Sequence, residues 1–578
     1  MSGNDFRLAE GGRIDRGRPL RFRFNGVDHN GFSGDTLASA LLANGVHLVG
    51  RSFKYHRPRG FLSDGSEEPN ALVQLGVGAH TQPNVRATQA ELYEGLTAES
   101  QNCWPSVHFD VGAVNDFLSP IFPAGFYYKT FMWPKSFWMR YEYFIRKMAG
   151  LGKAPASPDP DYYDKMHAHC DVLVVGAGPA GLAASHAAAR AGARVILADE
   201  QMEAGGYLLG RQTAINDRPA TEWVDKTVEE LESTEDVRLL TRTTALAYFD
   251  HNYITLLERV TDHLGPEAGG DRPRQRLWKV RASHVVLATG AHERPLVFRN
   301  NDRPGVMLAS AAQAYVNRFA IRPGSEAVVF TNNDSAYAAA FDLVRVGIRC
   351  TVVDARAEPP EELRAVARKQ NIDVLSGHGV ISAAGTRRVT GVEVSSLNAS
   401  ASGYHDAPRH IKCDLVLMSG GWNPAVHLFS QSRGKLEFDA SRACFVPGES
   451  VQAERSAGAC NGTFDLAFCL SEGREAGKSA AAAAGFRSRS SSASPKVESS
   501  PETPIRAVWR MPTKDPGGLY NKHFVDFQND VTAADVDLAY REGYRSVEHL
   551  KRYTTMGMGT DQGKTSNVNA LAILAEIS

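Results

Sequence analysis

One stretch limits the fold more than any other. Residues 170–200 read CDVLVVGAGPAGLAASHAAARAGARVILADE. The apolar run 172–175 predicts a buried strand, residues 182–191 an alanine-rich helix, and 194–198 a second apolar strand ending at Asp199 and Glu200. Between the first strand and the helix stand Gly176, Gly178 and Gly181, with Ala177, Pro179 and Ala180 completing the turn. The three glycines serve three different needs. Gly176 makes the tight turn, Gly178 lets the backbone approach a pyrophosphate, and Gly181 lets helix and strand pack closely. The pyrophosphate lies on the helix N-terminus, where unpaired N–H groups and the dipole favour an anion. Asp199 follows Gly176 by 23 positions, so it or Glu200 can accept the hydroxyls of a ribose. Gln201 adjoins them. A strand, glycine turn, helix, strand and acid in this order predict a dinucleotide site.

The chain has 578 residues, too many for a single core, so three or four domains are expected. A formal net charge of −1 gives no general attraction to nucleic acid or to anionic lipid, and neither is expected as a partner. No apolar run approaches the roughly 18 residues of a membrane span. The polar N-terminus is unlike a secretory signal. The cysteines at 103, 170, 350, 413, 444, 460 and 469 form no CxxC pair, which suits reduced thiols in a cytoplasm rather than a disulfide frame or a metal site.

The first hundred residues predict a β-grasp domain. Arg21-Phe22-Arg23-Phe24 alternates, Asn25-Gly26 is a hairpin turn, and 37–43 is a short helix ending at Asn44-Gly45. This order resembles a plant-type ferredoxin module. The loop that carries cysteines in cluster-binding members here reads RSFKYHRPRG over 51–60 and contains none, so no iron–sulfur cluster is expected. That basic, aromatic loop is open to two readings, the wall of a ligand pocket or subunit interface, and a solvated loop. Residues 101–164 connect onward through many aromatics, from Trp104 to Phe144 and including Tyr127 and Tyr128, a composition that suits wrapping a neighbouring domain or subunit.

Beyond the first turn, Gly205-Gly206 allows a loop near the cofactor, and the strand running into Ala288-Thr289-Gly290 passes beneath it. A second strand–turn–helix begins at 326, but its turn, residues 331–336, reads TNNDSA and has lost its glycines. Asp334 there would repel a pyrophosphate unless it merely caps the helix. One working dinucleotide site and one vestigial site are therefore expected. Where two-nucleotide flavoproteins carry Gly-Asp to hold the flavin ribityl chain, this chain has Cys460 and Asn461, which favours NAD over FAD at the first site. The expected organisation is α/β: a β-grasp ferredoxin-like domain over 1–100, the connecting segment 101–164, an NAD-binding Rossmann domain over 165–300 plus 413–480, a degenerate Rossmann domain over 301–412, a flexible linker over 481–504 and a small α-rich domain over 505–578.

Three motifs, FKYHRPRG at 53–60, TNNDSAY at 331–337 and SVEHLKRYTTMGMGTDQGKTSN at 546–567, closely resemble the alpha subunit of heterotetrameric sarcosine oxidase, and the likeness runs from about residue 20 to the last. The resemblance implies NAD bound in the Rossmann domain, FAD and amine oxidation on a partner beta subunit, FMN at the interface with beta, and smaller gamma and delta subunits. The implied reaction turns sarcosine and oxygen into glycine and hydrogen peroxide in the cytoplasm. Members of the family continue into a folate-binding aminomethyltransferase domain; this sequence stops at Ser578, so folate is not assigned. In the tail block, Arg552, Thr554, Thr555, Gln562 and Lys564 offer donors suited to a phosphate, expected to be that of FMN. No catalytic residue and no metal ligand is expected. The alternatives are a stand-alone FAD-dependent NAD(P)H oxidoreductase and a non-catalytic scaffold with structural NAD.

Overall fold

The computed structural model describes residues 6–126, 129–266, 270–487, 495–499, 503–513 and 522–578. It resolves into two compact units. One comprises Pro160–His292 and Trp422–Pro504, the other Met1–Asp159, Glu293–Gly421 and Ile505–Ser578.

The first of these is built on the strand Tyr163–Val175. Its C-terminal half is apolar on both faces, as a strand covered on both sides must be. Val172 and Val174 enter one core with Leu182 and Leu470, while Leu173 and Val175 enter another with Trp278 and Phe429. Val195–Ala198 and then Val237–Leu240 pair parallel on one side, and Gln275–Leu287 pairs parallel on the other. Gln275–Leu287 also carries the antiparallel strands Tyr253–Arg259 and Thr243–Phe249, a β-meander within this unit. The helix Pro179–Arg190 crosses back over the sheet, and Leu466–Ala483 lies on it. Gly473 and Gly477 face Ala180 and Ala184 so closely that a β-carbon at either glycine would overlap an alanine carbonyl. That helix runs to Ala483, so it enters the expected linker 481–504: alanine has the best helix propensity, and Ala480 and Ala481 are buried against the core. Within that linker, 488–494 and 500–502 lie outside the described residues, as do Tyr127 and Tyr128 of the aromatic segment.

The other unit contains the β-grasp sheet, in the order Val27–Ser33, Asp15–Phe24, Leu96–Ser100, Leu72–Leu75, Gln82–Arg86. Asn25 and Gly26 take φ of 50° and 79°, the backbone a two-residue hairpin needs. Thr36 and Ser39 form a reciprocal capping box on the helix Leu37–Ala43, every residue of which is buried. A parallel sheet follows, ordered Val306–Leu308, Leu415–Ser419, Glu326–Thr331, Arg349–Asp354, Asp373–Ser376. This corrects one expected boundary. The sequence assigns residues 413–480 to the first nucleotide domain, yet Leu415–Ser419 pairs with Val306–Leu308 and Glu326–Thr331. Five buried residues in an apolar run suit the middle of either parallel sheet, and only the pairing decides. The tail packs three helices, Ala533–Arg541, Val547–Thr554 and Asn567–Ile577, around Val536, Leu550, Met556 and Ile573.

The basic loop over 51–60 is not solvated. Arg59 is 1% exposed and Arg57 4%. Arg57 donates to Asp302 at 2.7 and 2.8 Å, and Arg59 pairs with both Asp302 and Asp530. Asp530 also accepts the backbone N–H groups of Lys54 and Tyr55 at 2.8 and 2.9 Å. Burial alone would raise the Asp302 carboxyl, but the two guanidiniums hold it far below the usual range. The loop thus ties the β-grasp domain to Asp302, 245 positions from Arg57, and to Asp530, 471 positions from Arg59.

Candidate functional site

Gly176 closes the first turn at φ +101°, and an added β-carbon there would meet the Ala288 carbonyl. At Gly181 a β-carbon would overlap the Gly176 carbonyl oxygen, so helix and strand touch through bare backbone. Gly178 is different. It is the N-cap of Pro179–Arg190, and nothing lies within 4 Å of where its β-carbon would stand. That open space lies over the first-turn N–H groups, which have no partners within the helix. Gly206 borders it, with the Gly178 Cα at 2.9 Å from a β-carbon placed there. The cradle has the shape a pyrophosphate needs.

Asp199 ends the Val195–Ala198 strand. Its Oδ2 accepts the Ala177 N–H at 2.6 Å and its Oδ1 the Gln201 N–H at 2.8 Å. The carboxylate therefore shapes the turn as well as facing it. Glu200 and Gln201 are half-buried beside it. Across the cradle, the Thr289 hydroxyl donates to the Ala425 carbonyl at 2.9 Å, and the Gly290 carbonyl accepts the Ala425 N–H at 2.9 Å. Gly290 has φ +76°.

Residues 458–461 sit against the same helix. Glu472 accepts the Gly458 N–H at 2.8 Å and the Asn461 side-chain amide at 2.5 Å. Cys460 is fully buried, its sulfur 3.8 Å from the Ala425 carbonyl, and burial pushes its thiol up to about 11. Neither Cys460 nor Asn461 offers the carboxylate that Asp supplies to a ribityl chain, and Cys460 is no nucleophile.

The second turn is filled by the chain itself. The Asn332 carbonyl accepts the Arg506 N–H at 3.3 Å, and the Asn332 side chain donates to the Arg506 carbonyl at 2.8 Å. The Arg506 guanidinium reaches the carbonyls of Ala355, Asn398 and Ala399. Asp334 makes no cap; it pairs with Arg356 at 2.6 Å, while Asn333 accepts the Ser335 N–H at 3.0 Å. Asp354, at the strand end where a ribose acid would stand, is buried and taken by Arg356 and the Tyr337 hydroxyl. Nothing in the sequence pattern marks Arg506 as the residue that fills this turn.

In the tail, Arg552 and Gln562 are exposed and Lys564 half-buried. Thr554 is buried and its hydroxyl donates back to the Leu550 carbonyl at 2.8 Å, while the Thr555 hydroxyl donates to the Thr554 carbonyl at 2.5 Å. The Thr554 hydroxyl serves the helix end, as a threonine in the last helical turn finds a carbonyl one turn back, and the Thr555 hydroxyl bonds the adjacent carbonyl at the C-cap.

Three family models match in sequence. They are described as 2Fe-2S iron-sulfur cluster binding domain over residues 17–103, pyridine nucleotide-disulphide oxidoreductase over 170–447, and sarcosine oxidase A3 domain over 520–578. Residues 17–103 hold a single cysteine, Cys103. The sarcosine oxidase subunit alpha of Rhizobium meliloti (strain 1021) is 47% identical over 99% of this chain and 56% of its own length. That of Corynebacterium sp. (strain P-1) is 40% identical over 98% of this chain and 54% of its own. Along nearly its whole length the chain is similar to sarcosine oxidase alpha subunits. It spans a little over half the length of these relatives. Among solved structures, L-proline dehydrogenase from P. horikoshii matches at TM-score 0.66 and 18% identity, over all of this chain and 94% of that one, a likeness of fold.

Proposed function

We propose that the chain is the NAD-binding alpha subunit of a sarcosine oxidase-like flavoenzyme. The observation that carries this reading is the contrast between the two turns. The first keeps an open glycine cradle over a helix N-terminus, with Asp199 and Glu200 at its edge, while the second is filled by Arg506. One nucleotide site is left, and a self-contained NADH-oxidising flavoenzyme needs two. The residues fit NAD: the pyrophosphate sits over Gly178, Pro179, Ala180 and Gly181, the adenosine ribose is held by Asp199 with Glu200 and Gln201, and Gly206, Thr289 and Gly290 border the rest. NAD when bound supplies a nicotinamide able to accept hydride. This chain's own residues bind and orient it.

In this reading sarcosine, or another secondary amine, is oxidised on FAD held by a partner beta subunit, with glycine and hydrogen peroxide as products. FMN lies at the interface with beta, its phosphate near Arg552, Gln562 and Lys564, and gamma and delta subunits complete a cytoplasmic assembly. The apolar segment supports a partner: Trp104, Phe117, Trp133 and Phe144 are 63–83% exposed, large apolar surface that a lone chain rarely presents.

The test is co-expression with candidate partners, then mass analysis of bound nucleotide and an absorbance spectrum of the chain alone and in complex. Colourless chain retaining NAD, and a yellow complex oxidising sarcosine, are expected. A yellow isolated chain that oxidises NADH would overturn the reading in favour of a stand-alone reductase. Absence of any bound nucleotide would leave only a scaffold.

A further inference from the structure

The loop that carries the buried ion pairs also forms one wall of a cavity of about 310 Å³. Arg51, His56 and Arg57 come from that wall, His108 from the segment after the β-grasp sheet, and Arg303 and Arg387 from two later segments of the chain. The carboxylates here are already matched. Asp110 accepts from His56 at 2.7 Å and from the N–H groups of Trp104 and Gly112 at 3.0 and 3.1 Å. Asp116 faces Arg57 at 3.0 Å and Lys522 at 3.2 Å, and Asp302, behind the wall, takes Arg57 and Arg59.

Three of the cations are not matched. Among the described residues no carboxylate lies within 4.0 Å of Arg51, Arg303 or Arg387. Arg51 donates to backbone, to the Val107 carbonyl at 2.9 and 2.6 Å and the His56 carbonyl at 3.2 Å. Arg303 reaches the Thr386 carbonyl at 3.4 Å, and its Nε is buried with no hydrogen-bond partner. Burial pushes Arg303 down to about 10, with the neighbouring Arg57 charge adding to it against the pull of Asp302. A buried guanidinium nitrogen without an acceptor is costly, and a ligand anion removes that cost. His56 holds the wall at φ +53°, a left-handed backbone that non-glycine residues take mainly where surrounding structure imposes it. At the mouth stand Phe109 and Phe117, 68% and 67% exposed.

We propose that this cavity binds a phosphate monoester with a planar apolar body, the phosphate held by Arg51, Arg303 and Arg387 and the ring laid against Phe109 and Phe117. Three guanidiniums from separate segments suit a tetrahedral dianion with several acceptor oxygens better than a flat, singly charged carboxylate. The site is independent of the nucleotide turn, since every lining residue lies outside Pro160–His292 and Trp422–Pro504.

The test is calorimetric titration of the purified full chain, with and without NAD, at constant ionic strength. The probes are phenyl phosphate, inorganic phosphate and benzoate. Phenyl phosphate should bind most tightly and benzoate least, with or without NAD. Arg303→Met and Arg387→Ala should each weaken phenyl phosphate at least about tenfold, the scale of a lost charged hydrogen bond. Arg387 is exposed at the rim, so Arg387→Ala should leave the melting temperature without probe unchanged, which separates lost binding from misfolding. Phe117→Ala should weaken phenyl phosphate and leave inorganic phosphate alone. Unchanged phenyl phosphate affinity in Arg387→Ala, or equal binding of benzoate, would overturn the proposal. Equal binding of both phosphates, with Phe117→Ala silent, would overturn the monoester and leave free phosphate as the ligand. Failure to bind NAD bears on the nucleotide reading alone.

Discussion

At the scale of single residues, the glycine turn separates folding from binding. Gly181 is enclosed, so Gly181→Ala forces the Gly176 carbonyl aside and should cost about 1–3 kcal/mol or more in a denaturant titration. Gly178 faces open space, so Gly178→Ala should leave that titration nearly unchanged while the methyl group blocks the pyrophosphate, lowering NAD affinity by roughly tenfold or more in calorimetry. If both variants merely destabilise, the cradle is structural. Asp302 makes the opposite case. Its charge is matched by two buried guanidiniums, and Asp302→Ala leaves both without it, so a loss of about 3–5 kcal/mol is expected in the same titration. The Asp302 carboxyl is held below its unfolded value, so its contribution is present above about pH 4 and fades only on strong acidification. The glycines were legible in the sequence because steric need acts on the residue itself. The role of Asp302 was not, because its partners are 243 and 245 positions away.

At the scale of elements, helix and strand positions followed from periodicity and caps. Leu37–Ala43 forms at the expected residues because its cap and its apolar run are local. Leu415–Ser419 stands out in the sequence as an apolar run, but its sheet does not, since a wholly buried run carries no mark of its neighbours. The tail holds a pair of buried carboxylates, Asp526 and Asp561. Burial, with the Asp561 charge adding to it, pushes Asp526 up to about 6, and burial raises Asp561 as well. A carboxyl whose folded value is raised binds more protons in the folded state than in the unfolded, so stability falls as pH rises from about 4 through 6. Thermal melts between pH 5 and 8 should therefore show the tail less stable at the upper end, by on the order of 1–2 kcal/mol. Asp561→Asn should flatten that slope; an unchanged slope would mean that the pair does not titrate in this range.

At the scale of the whole molecule, ligand binding should be visible as stability. A nucleotide bound only by the folded chain at a hundred times its dissociation constant adds about 2.7 kcal/mol, so saturating NAD should raise the melting temperature of Pro160–His292 with Trp422–Pro504. Asp199 and Glu200 at the ribose edge repel a 2′-phosphate, so NADP should shift the melt less than NAD at equal concentration. Equal shifts would place the acids away from the ribose.

By itself the sequence determined the glycine turn, the β-grasp helix and hairpin, and the likeness to sarcosine oxidase alpha subunits, because glycine sterics, caps, apolar periodicity and long motifs are written in contiguous residues. Tertiary structure alone decided what the basic loop and the second turn do. Arg57 and Arg59 became buried ties, not a solvated face, once Asp302 and Asp530 were brought to them. The vestigial turn acquired its occupant when Arg506 crossed 174 positions to Asn332. The unmatched cations of the cavity exist only as a sum over three separate segments. Charge balance and burial are properties of groups gathered in space, and spacing along the chain does not encode which groups will meet.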